Sequence, residues 1–264
     1  MSVEPVQAIA AGAASGIPVL IGTNLHEGNL FFREGQKADS FEQSLKALEQ
    51  LMGVDDLSEL TSDYSHTWEG QAEVLTDLFF WASSISFAEK QQAHGPVWMY
   101  RFDWTVSGHP LLEKAIHGAE ILYVFNNLPL LKQYGLSVTP EMEAVAEAMQ
   151  TAWTAFAHGG DPAAPGLDWP QYTPETRATM IFDQSSRVVN DPDGEKRRRI
   201  FLSIIQDKFT NAALAGGRPP GGLLLVCGPD VIEIPGAAIR EGPIARQPVT
   251  LIGESCTNYS NTAQ

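Results

Sequence analysis

Two short stretches of the chain carry residues whose chemistry could be combined in catalysis. In Pro18–Gly28 (P-V-L-I-G-T-N-L-H-E-G) a strand-like apolar run ends in a polar loop that contains Glu27. In Ala115–Phe125 (A-I-H-G-A-E-I-L-Y-V-F) His117 lies between an extended segment and an apolar helical run. A carboxylate that fixes the tautomer of an imidazole forms the supporting half of a nucleophilic triad. The imidazole then takes a proton from a serine hydroxyl and returns it to the leaving alcohol. These two residues are therefore the candidate acid and base.

The elements that must position these residues alternate between strands and helices. A short continuous apolar run is typical of a strand buried on both faces, and apolar residues at helical spacing are typical of an amphipathic helix. Glu27 would stand at the end of one strand, and His117 in the loop after a later strand. The predicted helices are Val6–Ala14, Ser40–Met52 with Ser40 as its N-cap, one or two short helices in Asp55–Ser65, Thr76–Gln92, Ala119–Asn126, Thr139–His158 and a last helix from Asp191 to about Ile205; the predicted strands are Pro18–Gly22, Val97–Trp104, Ala178–Phe182 and Ser186–Val189.

Composition and charge exclude several classes of function. The chain of 264 residues has a formal net charge of −15, which argues against nucleic acid or an anionic membrane as a partner. The basic run Lys196–Arg199 is interpreted as the solvent-exposed cap of a helix end. No apolar run approaches the ~20 residues that a membrane span needs. Cys227 and Cys256 match neither a disulfide framework nor a metal site. We expect a soluble, cytoplasmic protein.

A change in amino-acid composition near residue 206 predicts a domain boundary. The stretch Ala215–Gly222 (A-G-G-R-P-P-G-G) has the composition of a linker. Short strands are predicted after it, at Leu223–Cys227, Val231–Ile234 and Pro248–Ile252. The sequence thus predicts one domain at residues 1–205 and an atypical Gly/Pro-rich tail at 206–264.

The other histidines have simpler interpretations. His26, His66, His94, His109 and His158 are interpreted as surface or capping residues, since an arbitrary histidine is usually one of these. His26 adjoins Glu27, but neighbours on an extended loop point apart. His117 and Glu120 have a spacing that could hold a metal, yet no further ligand clusters near them in the sequence. The aromatic residues of Val97–Trp104 are interpreted as core packing.

Six segments in the same order resemble the C-terminal half of the type B carboxylesterase family, the cholinesterase-like α/β hydrolases. The likeness runs from about residue 3 to residue 205. The segments are P-V-L-I-G-T-N-L-H-E-G with F-F after it, T-D-L-F-F-W with V-W-M-Y-R-F-D-W, H-G-A-E-I-L-Y-V-F, M-Q-T-A-W-T-A-F-A-H-G-G-D-P, W-P-Q-Y, and M-I-F-D closed by D-P.

The resemblance implies a fold and a reaction. The fold would be α/β, the C-terminal part of an α/β hydrolase, with a mainly parallel sheet flanked by helices. Glu27 falls on the family's triad acid, His117 on its general base, and Glu120 on a buried glutamate with a structural role. The implied reaction is hydrolysis of small-molecule carboxylic esters through an acyl-serine intermediate, without cofactor or metal.

The family's nucleophile elbow and oxyanion loop lie in its N-terminal half, and the resemblance places the start of this chain after them. The most similar string is Leu251–Thr257 (L-I-G-E-S-C-T), in which Ser255 stands at the place of a nucleophile but Thr257 replaces the second glycine. For the oxyanion loop the sequence offers one candidate, the pair Gly221 and Gly222, and it is weak.

Three hypotheses follow. In the first, the chain is a truncated or split esterase that provides the acid and the base and is inactive without an N-terminal half. In the second, the chain is a non-catalytic interaction module on the same scaffold. In the third, the chain is a permuted esterase that uses Ser255. Without the strands of the N-terminal half, the strands at Pro18 and Val97 would expose an edge. A complementing N-terminal half or a second copy of the chain is therefore the expected partner.

Overall fold

The structure, a computed structural model, describes residues 5–32, 40–52, 55–201, 225–227 and 230–232. The chain divides into two units, residues 1–203 and 204–264, and each is described by itself. The predicted assignment of residues 1–205 to a family domain and of 206–264 to a tail stays a prediction.

A four-stranded mixed sheet forms the centre of the first unit. Its strands, in their order across the sheet, are β1 (Val19–Asn24), β2 (Val97–Phe102), β3 (Ala178–Phe182) and β4 (Arg187–Asn190). β1, β2 and β3 are parallel, and β4 closes the sheet as an antiparallel hairpin with β3. Asn24 pairs in register with Phe102, so β1 and β2 end at the same edge. Within the described residues β1 pairs with β2 alone, which leaves its outer edge unpaired there.

Helices surround this sheet. The α-helices are α1 (Pro5–Ala10), α2 (Phe41–Met52), α3 (Trp68–Val74), α4 (Ala82–Gln91), α5 (Ile121–Val124) and α6 (Pro140–Gly159); residues 194–201 are also helical, and 3₁₀ turns occupy Glu27–Leu30 and Leu128–Tyr134. Ser40 caps α2 as predicted: its Oγ accepts from Gln43 N–H at 3.3 Å while Gln43 Oε1 accepts from Ser40 N–H at 2.9 Å.

The structure differs from the predicted helix Thr76–Gln92 in two respects. Residues Leu75–Trp81 form a π-helical segment between α3 and α4, and the helical run already begins at Trp68. The predicted helices in Asp55–Ser65 are absent from the described residues 55–65, which form turns. There Asp56 Oδ1 accepts from Ser58 N–H at 2.8 Å, a local bond that competes with helix formation.

The main core lies between the sheet and α6. Trp98 and Phe102 of β2 are buried against Phe182 of β3 and Met149 of α6. Trp169 Nε1 donates to the carbonyl of Met99 at 3.2 Å, which fixes the loop after α6 to the sheet. The interpretation of the β2 aromatic residues as core is therefore confirmed.

The basic run at the helix of residues 194–201 is ion-paired, and the interpretation as a solvent-exposed cap was wrong. Lys196 Nζ lies 2.9 Å from Asp77 Oδ2, and the buried Arg197 lies 2.8 Å from Asp191 Oδ1. These pairs fasten the helix to the neighbouring elements, since each guanidinium or ammonium that leaves water needs a compensating carboxylate.

In the second unit the structure describes one antiparallel pair, β5 (Leu225–Cys227) with β6 (Asp230–Ile232). The predicted strand Pro248–Ile252, the candidate nucleophile Ser255 and the candidate oxyanion residues Gly221 and Gly222 lie outside the described residues. Among the helices that are described, none has the length and apolar character to cross a bilayer. The cytoplasmic location stays a prediction.

Candidate active site

Glu27 lies at the C-terminal edge of the sheet, at the start of the 3₁₀ turn that follows β1. Its side chain is almost fully buried, with 5 % of the residue exposed. Oε1 accepts from the backbone N–H of Asn24 at 2.7 Å, and Oε2 lies 2.7 Å from Nδ1 of His117. One carboxylate oxygen is thus hydrogen-bonded to the backbone of β1, and the other faces the imidazole.

His117 lies in the long loop that follows β2. Its side chain is 45 % exposed. The ring packs against both Phe31 and Phe80, whose centroids are 5.6 and 5.0 Å from its own. Gly118 adopts φ +79°, a left-handed turn that glycine adopts without strain, directly after the histidine. Because Nδ1 faces Glu27, the ring is held as the Nδ1–H tautomer with Nε2 as an acceptor.

Burial dominates the electrostatics of this pair. Loss of water around the Glu27 carboxyl raises its pKa, although the hydrogen bonds from Asn24 and His117 act in the opposite direction. The nearby carboxylate of Glu120 raises the pKa further. The buried carboxylate on Nδ1 orients the imidazole and leaves Nε2 as the atom available for proton transfer.

The structure brings together both residues that the sequence predicted for the site, Glu27 and His117. Glu120, the predicted structural glutamate, is half-buried, and its Oε2 accepts a hydrogen bond from Asn24 Nδ2. Within the described part of the chain no hydroxyl is hydrogen-bonded to His117 Nε2. The nucleophile candidate Ser255 lies outside the described residues.

His26 has a role that the sequence analysis missed. Its backbone N–H donates to the carbonyl of Ala115 at 3.0 Å, and its Nδ1 accepts from Ala115 N–H at 3.3 Å. Burial, helped by the charges of Lys114, Arg101 and Lys196, lowers the pKa of His26 to about 4. The prediction of a surface or capping role was wrong here, because the neutral ring joins the acid loop to the histidine loop.

The remaining histidines lie away from the pair. His66 is exposed beside Glu42, and the His94 ring binds the carbonyl of Ala10. His109 organises its own loop, with Nδ1 accepting from the N–H groups of Leu111 and Leu112. The exposed His158 stands in the last turn of α6.

The π-helical segment contacts the loop that carries Glu27 and the ring of His117. Thr76 Oγ1 accepts from Gly28 N–H at 2.9 Å and donates to the carbonyl of Ala72 at 2.8 Å. Phe80, one turn later, packs on the ring of His117. Such segments are frequent at functional sites. Nothing in the sequence distinguishes this stretch from an ordinary helix.

An apolar cavity of about 260 Å³ adjoins His117. Its wall includes His117 and Gly118 at the site and, further in, Trp104, Val106, Leu111 and Leu122. The indole N–H of Trp104 is buried and has no hydrogen-bond partner among the described residues. The cavity could hold an uncharged organic group next to the imidazole. No group of three potential metal ligands occurs in the part of the chain that the structure describes.

Comparisons with known proteins agree with this geometry. The model of the carboxylesterase family matches residues 1–200. The para-nitrobenzyl esterase of Bacillus subtilis is 41 % identical over 201 residues, which are 76 % of this chain and 41 % of that protein. The phenmedipham hydrolase of Pseudarthrobacter oxydans is 29 % identical over 137 residues, 49 % of this chain and 27 % of that protein.

Solved structures give the same result. A thermophilic pNB esterase superposes with a TM-score of 0.70 at 42 % identity, covering 75 % of this chain and 41 % of that one. The carboxylesterase Est55 of Geobacillus stearothermophilus superposes with a TM-score of 0.61 at 33 % identity, covering 75 % and 43 %. The chain therefore spans about two fifths of the length of these esterases. The predicted fold class, part of an α/β-hydrolase fold, is confirmed.

Proposed function

Because the chain belongs to the carboxylesterase family, we propose that it is a carboxylic ester hydrolase polypeptide in which Glu27 is the acid and His117 the base of a catalytic triad. The observation that carries the proposal is the 2.7 Å contact between Glu27 Oε2 and His117 Nδ1. A buried carboxylate on Nδ1 leaves Nε2 as the atom that exchanges protons.

The reaction would run in two halves. His117 Nε2 takes the proton of a serine hydroxyl as that oxygen attacks the ester carbonyl, and then gives the proton to the leaving alcohol. In the second half Nε2 takes a proton from water as that water attacks the acyl-serine carbonyl, and then gives the proton to the serine oxygen, which leaves as the free hydroxyl while the acid is released. Glu27 keeps its negative charge throughout and stabilises the imidazolium in both halves.

The serine and the oxyanion donors are the groups that this proposal assigns to the part of the family fold that the chain does not span. The outer edge of β1, which pairs with no strand of the described residues, is where further strands of that part would continue the sheet. Loss of a single oxyanion donor typically costs ~10²–10³ in kcat, so the chain by itself would turn over slowly at best.

Small esters with a bulky, uncharged group are the proposed substrates. The apolar cavity beside His117 has about 260 Å³ of room. A relative is named for esters of para-nitrobenzyl alcohol. Such an ester combines an apolar ring with acceptor oxygens, and it is the natural first substrate to test.

The test mixes the purified chain with a separately expressed N-terminal portion of the Bacillus subtilis para-nitrobenzyl esterase that ends where the match begins. Hydrolysis of a para-nitrobenzyl ester and fluorophosphonate labelling of a serine in the added portion are expected only in the mixture. His117→Gln should abolish the hydrolysis, while Glu113→Gln, an exposed residue of the same loop, should not.

Other outcomes would contradict the proposal. Labelling of Ser255 in the chain alone would identify a permuted esterase instead. Formation of a stable complex, seen by gel filtration, without labelling or hydrolysis would favour a non-catalytic interaction module.

A further inference from the structure

We infer that Asn24 is a positioning residue that holds the acid and the base in one arrangement; the inference rests on the proposed function. Asn24 is the last residue of β1 and is 1 % exposed. Its backbone N–H donates to Glu27 Oε1 at 2.7 Å. This bond fixes one carboxylate oxygen, so that the other, Oε2, points at His117.

The side chain of Asn24 reaches the other loop. Nδ2 donates to the backbone carbonyl of Ile116 at 2.6 Å and to Oε2 of Glu120 at 2.5 Å. Ile116 directly precedes His117, and Glu120 follows it by three residues. One side-chain amide therefore bonds to the chain on both sides of His117. Asn24 lies 92 positions from Ile116 along the sequence.

The chemistry of the partners fixes the orientation of this amide. A backbone carbonyl and a carboxylate can only accept, so both must face the nitrogen of the side chain. Two donor hydrogens on a short, buried side chain are found in asparagine but not in aspartate, serine or leucine. Aspartate would also place a second carboxylate against Glu120 and near Glu27.

Asn24 acts through other residues, so its effect is on geometry. A displacement of about 1 Å between reacting groups can cost on the order of 10² in rate. Without the two bonds from Nδ2, the histidine loop would keep the bonds between His26 and Ala115 and the contacts of Phe31 and Phe80 with the imidazole, but it would lose its hydrogen bonds to the end of β1. The Glu27–His117 bond would become one of several arrangements.

The test reads that bond directly, by the NMR resonance of His117 Nδ1–H in the full chain with ¹⁵N-labelled histidine. The resonance is assigned by its loss in His117→Gln and is expected far downfield, as for an N–H shared with a carboxylate. The NMR measurement requires neither the nucleophilic serine nor turnover of an ester. A complemented enzyme that fails to hydrolyse esters would count against the proposed function, whereas the resonance alone decides the role of Asn24.

Asn24→Ala and Asn24→Asp are expected to broaden or remove the resonance. In the complemented enzyme they should lower kcat on the order of 10²-fold with little change in KM. Glu120→Gln should retain the resonance, because an amide oxygen still accepts from Nδ2. Glu120→Ala leaves β1 intact and removes one of the two partners, so it should weaken the resonance even if the Asn24 variants fail to fold.

Gln91→Ala is the matched control. Gln91 is also a fully buried amide, and its Nε2 donates to the carbonyls of Ala14 and Ile17, just before the start of β1. Its loss should lower the melting temperature without moving the His117 resonance. An unchanged resonance in folded Asn24→Ala, or its absence from the unmodified chain, would overturn the inference.

Discussion

The backbone N–H of Gly28 donates a hydrogen bond of 2.9 Å to Oγ1 of Thr76. Gly28 directly follows Glu27, and Thr76 belongs to the π-helical segment Leu75–Trp81. The same segment lays Phe80 against the ring of His117. One irregular turn of helix thus contacts both the acid loop and the ring of His117.

Thr76→Val is expected to destabilise the protein, because valine keeps the shape of threonine but leaves the Gly28 N–H buried without a partner. The free energy of unfolding in urea should fall by about 1–3 kcal/mol. Thr76→Ser keeps the hydroxyl and serves as the control. A valine variant as stable as the serine variant would show that water or another acceptor replaces Oγ1.

Gly28→Ala is expected to disturb the acid loop by crowding. A Cβ at this position would lie 2.0 Å from the backbone carbonyl oxygen of Ala72, so α3 or the loop must move. Overpacking of this kind costs about 1–3 kcal/mol in unfolding free energy. Gly159→Ala, at the end of α6, meets no atom within 4 Å and should be neutral or stabilising. Equal melting temperatures of the two variants would contradict the expectation.

Local sequence signals predicted much of this architecture. The apolar run before Glu27 and the aromatic run Val97–Trp104 identified β1 and β2, because strands buried on both faces need continuous apolar residues. Ser40 marked the start of α2, since serine is a preferred N-cap residue. The acid and the base followed from their positions after these strands and from the family likeness.

Features that depend on distant contacts were not predictable in this way. A π-helical segment has the same apolar spacing as an α-helix over one or two turns, so T-D-L-F-F-W gave no sign of it. The bonds of His26 and Asn24 to the histidine loop join residues some 90 positions apart. Local sequence does not encode such pairings, and a histidine or an asparagine in a loop has many other uses.

The junction at His26 should make stability depend on pH in acid solution. The pKa of this histidine is lowered from about 6.5 to about 4 in the folded protein, because burial and the nearby cations disfavour its charged form. The unfolded chain therefore binds more protons at His26 between these two values. Its contribution to stability is complete above about pH 6.5 and is lost as the pH falls towards 4.

His26→Asn offers the test, because an amide oxygen can accept from Ala115 N–H but does not titrate. Unfolding free energies of the variant and the unmodified chain should converge as the pH falls from 7 to 4. The raised pKa of Glu27 acts with the opposite sign, but it is common to both proteins. A constant difference between them across this range would exclude His26 as the titrating group.

Glu27→Gln is expected to abolish most of the activity of the complemented enzyme while leaving the fold intact. Glutamine preserves shape but can donate to Nδ1, which selects the wrong tautomer of His117; the comparable change in a serine protease costs about 10⁴ in kcat. Glu113→Gln, the same chemical change at an exposed position of the histidine loop, is the control. A loss below about 10-fold would remove Glu27 from the triad.

The cavity beside His117 should determine which esters react. Leu111 lines it, whereas Leu130 lies on the nearby 3₁₀ turn outside the lining. Leu111→Trp would fill part of the 260 Å³ and should lower kcat/KM for a para-nitrobenzyl ester by about 10- to 200-fold, the range for losing one or two methylene-sized spaces in an apolar pocket. For a small ester such as ethyl acetate the value should change little, because that substrate does not need the space.

Leu130→Trp adds the same indole at a partly exposed site and should leave kcat/KM for both substrates unaffected. If Leu111→Trp slowed both esters equally, the cavity would not be the place where the bulky group binds, and the selectivity would have to come from the part of the fold that this chain does not span.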